Sequence, residues 1–405
     1  MLKRMIMLVV VGWLGQVQAA DLNALMQRAA RAHPQLEAAE AAIEAAQAKR
    51  REAEAAFKPE VHFQAEQSYA WMKTDFARSS LLLRGDWTLW QPAKSAAVRA
   101  AGAQAQVAEQ RRQVLLLQLE WELVQAWSAW QQTSVRLDAL RRKEKVLADL
   151  LGQMEQGYGA GRGMLSRVLV IRRRLADNRA MQATLKMQQA RQQAVIEALT
   201  EEAVSLDPVE APELAGIRPL KQPDWRQTPF LRLIDTQIDA VQAQRQQARD
   251  QYKGRLAVFA LGVRNDSGGR FYDDMEGARV GVQYAVPLYT GGRLEARADS
   301  LRADMRRLTE QRRAQLLKLK QAWQQAQAVL EQAEPRDQAL AERQKASEED
   351  EEARRLLLGS GQLSIQTVLE SALARIDAEQ DRLLNRWQAW QAMQQQRYLR
   401  AELKP

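Results

Sequence analysis

The sequence predicts an α+β protein in which very long helices carry most of the chain and four strands interrupt them in two pairs. Three observations predict it. The first is composition: 405 residues include only 11 Pro and 20 Gly and are crowded with Ala, Gln, Glu, Arg and Leu, the mix of long helices and coiled coil. The second is continuity. Nothing breaks a helical pattern between Pro92 and Gly157, and only Pro335 interrupts the one from Leu294 to Leu357. At 1.5 Å per residue, the roughly 64 residues of the first run would reach about 95 Å, more than a globular core needs. The third is four segments whose apolar and polar residues alternate with the period of a strand.

Residues 1–19 read as a secretory signal. Lys3 and Arg4 form a basic start, Met5 to Leu14 a short apolar core, and Val17-Gln18-Ala19 offers small residues for cleavage before Ala20. The core is too short to span a bilayer comfortably. Removing Lys3 and Arg4 and no acidic residue takes the formal charge from +9 to +7. There is no Cys, which excludes disulfides, thiol catalysis and a lipid-modified N-terminal cysteine. The basic excess is interspersed along helices rather than gathered in a patch, which argues for a solvated helical surface and against nucleic acid. No later stretch approaches about eighteen consecutive apolar residues, so any passage through a membrane falls to the strands.

Leu22 to Phe57 reads as one helix with closely spaced alanines, stopped by Lys58-Pro59. Val61 to Met72 then alternates, with Val61, Phe63, Ala65, Tyr69 and Trp71 on one face and His62, Gln64, Glu66 and Ser68 on the other. Lys73 to Ser80 reads as a polar loop. The second strand sets Leu81, Leu83, Trp87 and Leu89 against Arg84, Asp86 and Thr88, an alternation blurred by Leu82 and Trp90. Pro92 opens the long helix, whose Leu115, Leu119, Leu123, Trp127 and Trp130 form an apolar seam at three- and four-residue steps. Tyr158-Gly159-Ala160-Gly161-Arg162-Gly163 is a reversal, followed by a helix from Met164 to Glu202. Residues 203–229 hold five prolines and read as an extended linker.

The second half runs through the same order. Leu231 to Tyr252 is helix, and Leu256 to Asn265 a strand whose outward face is expected to carry Phe259, Leu261 and Val263. A loop covers Asp266 to Gly277. In the returning strand, Val280, Val282, Tyr284 and Val286 alternate with Gly281, Gln283 and Ala285 until Pro287 ends the pairing. Gly291 and Gly292 allow a turn into the second long helix, in which Pro335 is expected to make a kink. Gly359-Ser360-Gly361 is the second reversal, and the last helix runs from Leu363 to Leu399. Pro92 pairs with Pro287, and Gln125-Ala126-Trp127 with Gln321-Ala322-Trp323. Gly161 before Val168-Leu169 pairs with Gly361 before Val368-Leu369. The chain therefore divides into a signal at 1–19, a first repeat at 20–202, a proline-rich linker at 203–229 and a second repeat at 230–405.

The run Pro287-Leu288-Tyr289-Thr290-Gly291-Gly292-Arg293, the phrase Ala32-His33-Pro34-Gln35-Leu36 and the repeated helix–hairpin–helix–turn–helix unit resemble the outer-membrane efflux protein family of TolC-like channels. The resemblance covers nearly all of the mature chain. It departs at Trp90-Gln91-Pro92, which lacks the aromatic and paired glycines of the second junction. It departs again at the tips, where Arg167 and Thr367 stand in place of the acidic residue that often precedes Val-Leu, and Leu358 in place of an aromatic that Tyr158 keeps. The resemblance implies a long α-helical coiled-coil barrel joined to a transmembrane β-barrel, with four strands from each chain of a homotrimer. It also implies an export duct in the cell outer membrane, set against lipid and extending into the periplasm. Such a duct joins a periplasmic adaptor (membrane fusion) protein and an inner-membrane pump or ABC transporter, in tripartite efflux or type I secretion.

The residues expected to serve such a duct follow. Val61, Phe63, Trp71, Trp87, Val280, Val282 and Tyr284 face lipid. Pro92, Pro287, Gly291 and Gly292 form the strand–helix junctions. Gly157, Gly159, Gly161, Gly163, Gly359 and Gly361 form the tips that meet the adaptor. Thr367 and Glu370 share the polar face of the last helix and, by the resemblance, line the periplasmic constriction, where Arg167 of the other repeat offsets the charge. The alternative for Glu370 is a solvated position outside the tube. The alternative for the protein is a periplasmic coiled-coil scaffold or adaptor that never enters the membrane, which leaves four apolar-faced strands unexplained. No catalytic constellation is expected: His33 and His62 are the only histidines, neither belongs to a metal or nucleophile pattern, and no cofactor motif is present.

Overall fold

The computed structural model describes residues 21–70, 76–161, 164–267, 275–359 and 365–403. The elements in chain order are α1 (Leu22–Ala32), α2 (Pro34–Ala55), β1 (Glu60–Ala70), β2 (Phe76–Trp90), α3 (Pro92–Gly159) and α4 (Leu165–Thr200), then α5 (Pro229–Asp250), β3 (Arg255–Ser267), β4 (Met275–Ala285), α6 (Arg293–Gly359) and α7 (Ile365–Leu399). The class is α+β, with helices predominating. No helix among the described residues is long and apolar enough to cross a membrane.

The expected first helix is two. His33 leaves the helix with φ −69° and ψ 122°, because the ring of Pro34 crowds the preceding residue out of the α region. Pro34 then starts α2, where its missing N–H costs nothing. Pro335 lies inside α6 without ending it. The strands are longer than the alternation indicates: β2 starts at Phe76, inside the segment expected as loop, and β3 and β4 reach Ser267 and Met275.

The chain folds as two units. One takes residues up to His33, Leu117–Gln222 and those from Gln321 on; the other takes Pro34–Leu116 and Pro223–Lys320. The first is helical, with the seam of α3 at its centre: Leu119, Leu123, Trp127 and Trp130 are buried; Leu115 of that seam falls in the second unit and is half-buried. Trp127 meets Trp387 edge-on at 5.4 Å, and Trp121 stacks on Tyr398 at 5.3 Å. Residues 203–222 are bound to this unit rather than loose. Gln131 donates to the Asp207 carbonyl and accepts from the Val209 N–H, each at 3.0 Å, while Gln396 accepts from the Leu220 N–H at 2.7 Å. Such amide side chains meet both needs of an extended backbone.

The second unit holds α2, α5 and an antiparallel sheet in the order β1-β2-β3-β4. Across the sheet, Val61 stands opposite Gly85, Ala260 and Val280, and His62 opposite Arg84, Leu261 and Arg279. Residues in such a row share a face, so the register assigns every side chain of the sheet. A bulge between Thr88 and Trp90 adds one residue to β2 and returns Trp90 to the face of Trp87. That bulge is the physical reason the alternation blurs at the end of β2.

Candidate functional site

One face of the sheet is apolar throughout its lower rows. It carries Val61 and Phe63 of β1, Leu83 and Trp87 of β2, Val258 and Ala260 of β3, and Val280, Val282 and Tyr284 of β4. These side chains are not a core. Val61 is 71% exposed, Phe63 68% and Val280 74%, a contiguous apolar surface of the kind that marks contact with lipid or another protein. Trp71 lies outside the described residues. The opposite face carries Glu60, His62, Gln64, Arg84, Asp86, Arg279 and Gln283.

Phe259, Leu261 and Val263 are corrected by this register. They stand in the rows of Asp86, Arg84 and Leu82 and therefore belong to the polar face, not to the outward one. A second contact fixes the side: a Cβ added at Gly281 would come within 2.8 Å of the Phe259 ring. The error has a physical source. In Leu256–Val263 both parities are apolar, so alternation alone cannot choose a face.

Pro92 is the first residue of α3 and Pro287 follows the end of β4. Gly291 and Gly292 take φ +63° and +76°, the left-handed backbone that a Cβ penalises, and α6 starts at the next residue. Sequence reasoning missed three residues that hold these crossings. Lys94 Nζ donates to the Ala56 carbonyl at 2.6 Å and to Thr88 Oγ1 at 2.9 Å. Gly254 has φ +77°, and an added Cβ would lie 2.5 Å from Val286 Cγ2 and 2.6 Å from the Ala285 carbonyl. Tyr252 donates to Glu295 and meets Thr290 at 3.2 Å. That hydrogen bond to Glu295 holds the tyrosine above its ordinary pKa and the glutamate below its own. A glycine just before a strand was the available signal for Gly254; nothing local marks Lys94.

At the first tip, Gly157 and Gly159 are helical residues of α3 rather than part of the turn, and the reversal rests on Gly161 at φ +72°. Gly359 is the last residue of α6, while Gly163 and Gly361 lie outside the described residues, as does the segment expected as a signal. Leu369 is buried with Leu147, Leu150, Ile171 and Leu175, and Val168 is buried on α4. Thr367 is half-buried and Glu370 exposed. The cation beside Glu370 is Arg174, with Nη2 at 3.8 Å, rather than Arg167, which is exposed and has no ion pair among the described residues. Arg174 lies five residues beyond Leu169 in a run of three arginines, and only the packing of α4 on α7 selects it. Among the described residues, no three His, Asp or Glu side chains gather as a metal site.

Residues 25–201 match the family model described as outer membrane efflux protein. The sequence likeness to that family lies within the first half of the chain. The efflux-protein fold extends well beyond the matched stretch. The outer membrane protein VceC from Vibrio cholerae superposes with a TM-score of 0.78 at 17% identity, over 96% of this chain and 98% of VceC. The CmeC outer membrane channel of Campylobacter jejuni gives 0.81 at 12% identity, over 95% and 87%. The open state of the MtrE outer membrane channel of Neisseria gonorrhoeae gives 0.76 at 16% identity, over 95% and 89%. No curated protein matches the sequence. At such identities the solved channels speak for the fold, and the residues must speak for the rest.

Proposed function

We propose that the protein is an outer-membrane export duct, passing substrates from an inner-membrane pump and a periplasmic adaptor to the exterior, with no catalytic step of its own. The single observation that carries this reading is the sheet. It has a continuous exposed apolar face and two open edges, β1 and β4, at the ends of its strand order. In lipid each unpaired backbone group of an open edge would cost several kcal/mol, so the edges must be closed by further copies. Three copies give a twelve-stranded barrel, within the range of known membrane barrels. A periplasmic scaffold has no use for such a surface.

In this reading Val61, Phe63, Trp71, Trp87, Val280, Val282 and Tyr284 meet lipid. The tip glycines, of which Gly161 is the strained one, meet the adaptor. Thr367 and Glu370 line the constriction, with Arg174 in the compensating role first given to Arg167. The two repeats, 20–202 and 230–405, each supply one hairpin and one tip, and residues 1–19 direct export.

The test compares two neighbours on β4. Val282 is on the apolar face and Gln283 on the other. Val282→Arg should cost about 2–4 kcal/mol of folding stability near the bilayer midplane, whereas Gln283→Arg should be tolerated. The readout is the yield of oligomer in outer-membrane fractions, together with conductance of the purified wild type in planar bilayers. Equal yields from the two variants would overturn the facing assignment, and a wild type that forms no pores would end the duct.

A further inference from the structure

The polar face of the sheet is not uniformly polar. Along β3 it presents Phe259, Leu261 and Val263, and the row of Val263 continues into Leu82. On β4 the same face bears Gly277, Arg279 and Gly281. Gly281 provides the space that the Phe259 ring occupies, and a Cβ added at Gly277 would meet nothing within 4 Å. Arg279 is thus the one side chain that β4 raises between two bare positions.

Asp86 and Glu60 on that face already have partners. Arg84 holds Asp86 through two hydrogen bonds, at 2.6 and 2.9 Å, and His62 stands 3.5 Å from Glu60. Arg264 pairs with Glu276 at 2.8 Å, but on the other face. Arg279 has no carboxylate within ion-pair distance among the described residues; its guanidinium carbon stands 5.4 Å from the centre of the Phe259 ring. An exposed guanidinium held over an aromatic ring remains free to bind an anion, and the aliphatic strip beside it is a place for an apolar body.

We infer that Phe259, Leu261, Val263 and Arg279 form a binding site on the inner wall of the barrel for amphipathic anions, molecules with an apolar or aromatic body and one negative group. The site rests on the reading that this face lines the duct. It gives cargo of that class a foothold near the exit, repeated once in each protomer. A purely structural role, with Arg279 pinning Phe259 over Gly281, predicts a change in stability and none in binding.

The test uses wild-type channels in planar bilayers and two probes, 2-naphthalenesulfonate and benzyltrimethylammonium. The sulfonate should reduce wild-type current. Its half-blocking concentration should rise about tenfold in Arg279→Gln, which loses the charge, and also in Phe259→Leu, which loses the ring. Arg264→Gln, three rows further along the sheet and on the opposite face, should leave the block unchanged, and the aromatic cation should not block in any channel. Equal block of wild type and Arg279→Gln, or an equal effect of Arg264→Gln, overturns the site while leaving the duct intact. Absence of wild-type pores overturns the duct and the site with it.

Discussion

The two places where the sheet hands the chain to a long helix do the same job with different chemistry. At the first, β2 passes into α3 through Gln91, and a cation ties the crossing down: Lys94 joins Thr88 of β2 to the Ala56 carbonyl at the end of α2, and Trp87 Nε1 donates to the Phe57 carbonyl at 3.0 Å. At the second, β4 passes into α6 through a seven-residue turn shaped by backbone freedom. Gly291 and Gly292 bend the turn, and Gly254, ahead of β3, lets the chain pass against Val286. The first crossing is held by side-chain bonds that can be removed singly. The second is held by close approach, which fails as soon as a Cβ is added. Function can therefore tolerate variation at the first crossing more readily than at the second.

The largest expected effect tests the second crossing. Gly254→Ala combines a left-handed φ with two contacts below 3 Å, and the backbone carbonyl of Ala285 cannot rotate away. It should cost about 3 kcal/mol or more, read as loss of heat-stable oligomer. A variant as stable as wild type would show that the crossing is looser than its geometry, and the contrast would collapse. Next comes Lys94→Met, which keeps the apolar stem and removes two hydrogen bonds from a half-buried ammonium. It should cost about 1.5–3 kcal/mol, read in the same melts. A cost exceeding that of Gly254→Ala would reverse the ranking.

Much of this was legible before any coordinates. The helices, the four strands and the apolar parity of β1, β2 and β4 follow from spacing, because a helix of several turns or a half-exposed strand imposes a period on its own sequence. The conspicuous Pro287–Arg293 run announced the second crossing. What stayed hidden depends on pairing. Phe259 could be assigned to a face only through its row with Asp86 and Gly281. Lys94 looks like any surface lysine of a helix start until Ala56, far back in the chain, is placed beside it. Arg174 sits among Arg172 and Arg173, and only the packing of α4 on α7 decides which of the three reaches Glu370. The break at His33 was readable from Pro34 and was obscured by the alanine-rich run on both sides.

The smallest expected effect separates the two crossings by pH. Glu295 accepts a hydrogen bond from Tyr252, which keeps its carboxyl below the ordinary value, and the same bond keeps the tyrosine above its own. For an acid with a depressed folded pKa, the stabilisation is present above the unfolded value of 4.5 and is lost as pH falls through the folded one. For Tyr252 the stabilisation is present below 10.0 and is lost as pH rises through the higher folded value. The second crossing should accordingly weaken at both extremes. The first should not weaken in acid, because the partners that hold it, a carbonyl and a hydroxyl, do not titrate. The pair is exposed to solvent, so the effect will be a shift of midpoint rather than a collapse. Melting the oligomer at pH 3 and at pH 6 in wild type, Glu295→Gln and Lys94→Met measures it. Glu295→Gln should show a smaller difference between the two pH values than wild type, whereas Lys94→Met should keep the wild-type difference on a lower baseline. A full wild-type difference in Glu295→Gln would assign the acid sensitivity elsewhere and leave the two crossings distinguished by their backbone alone.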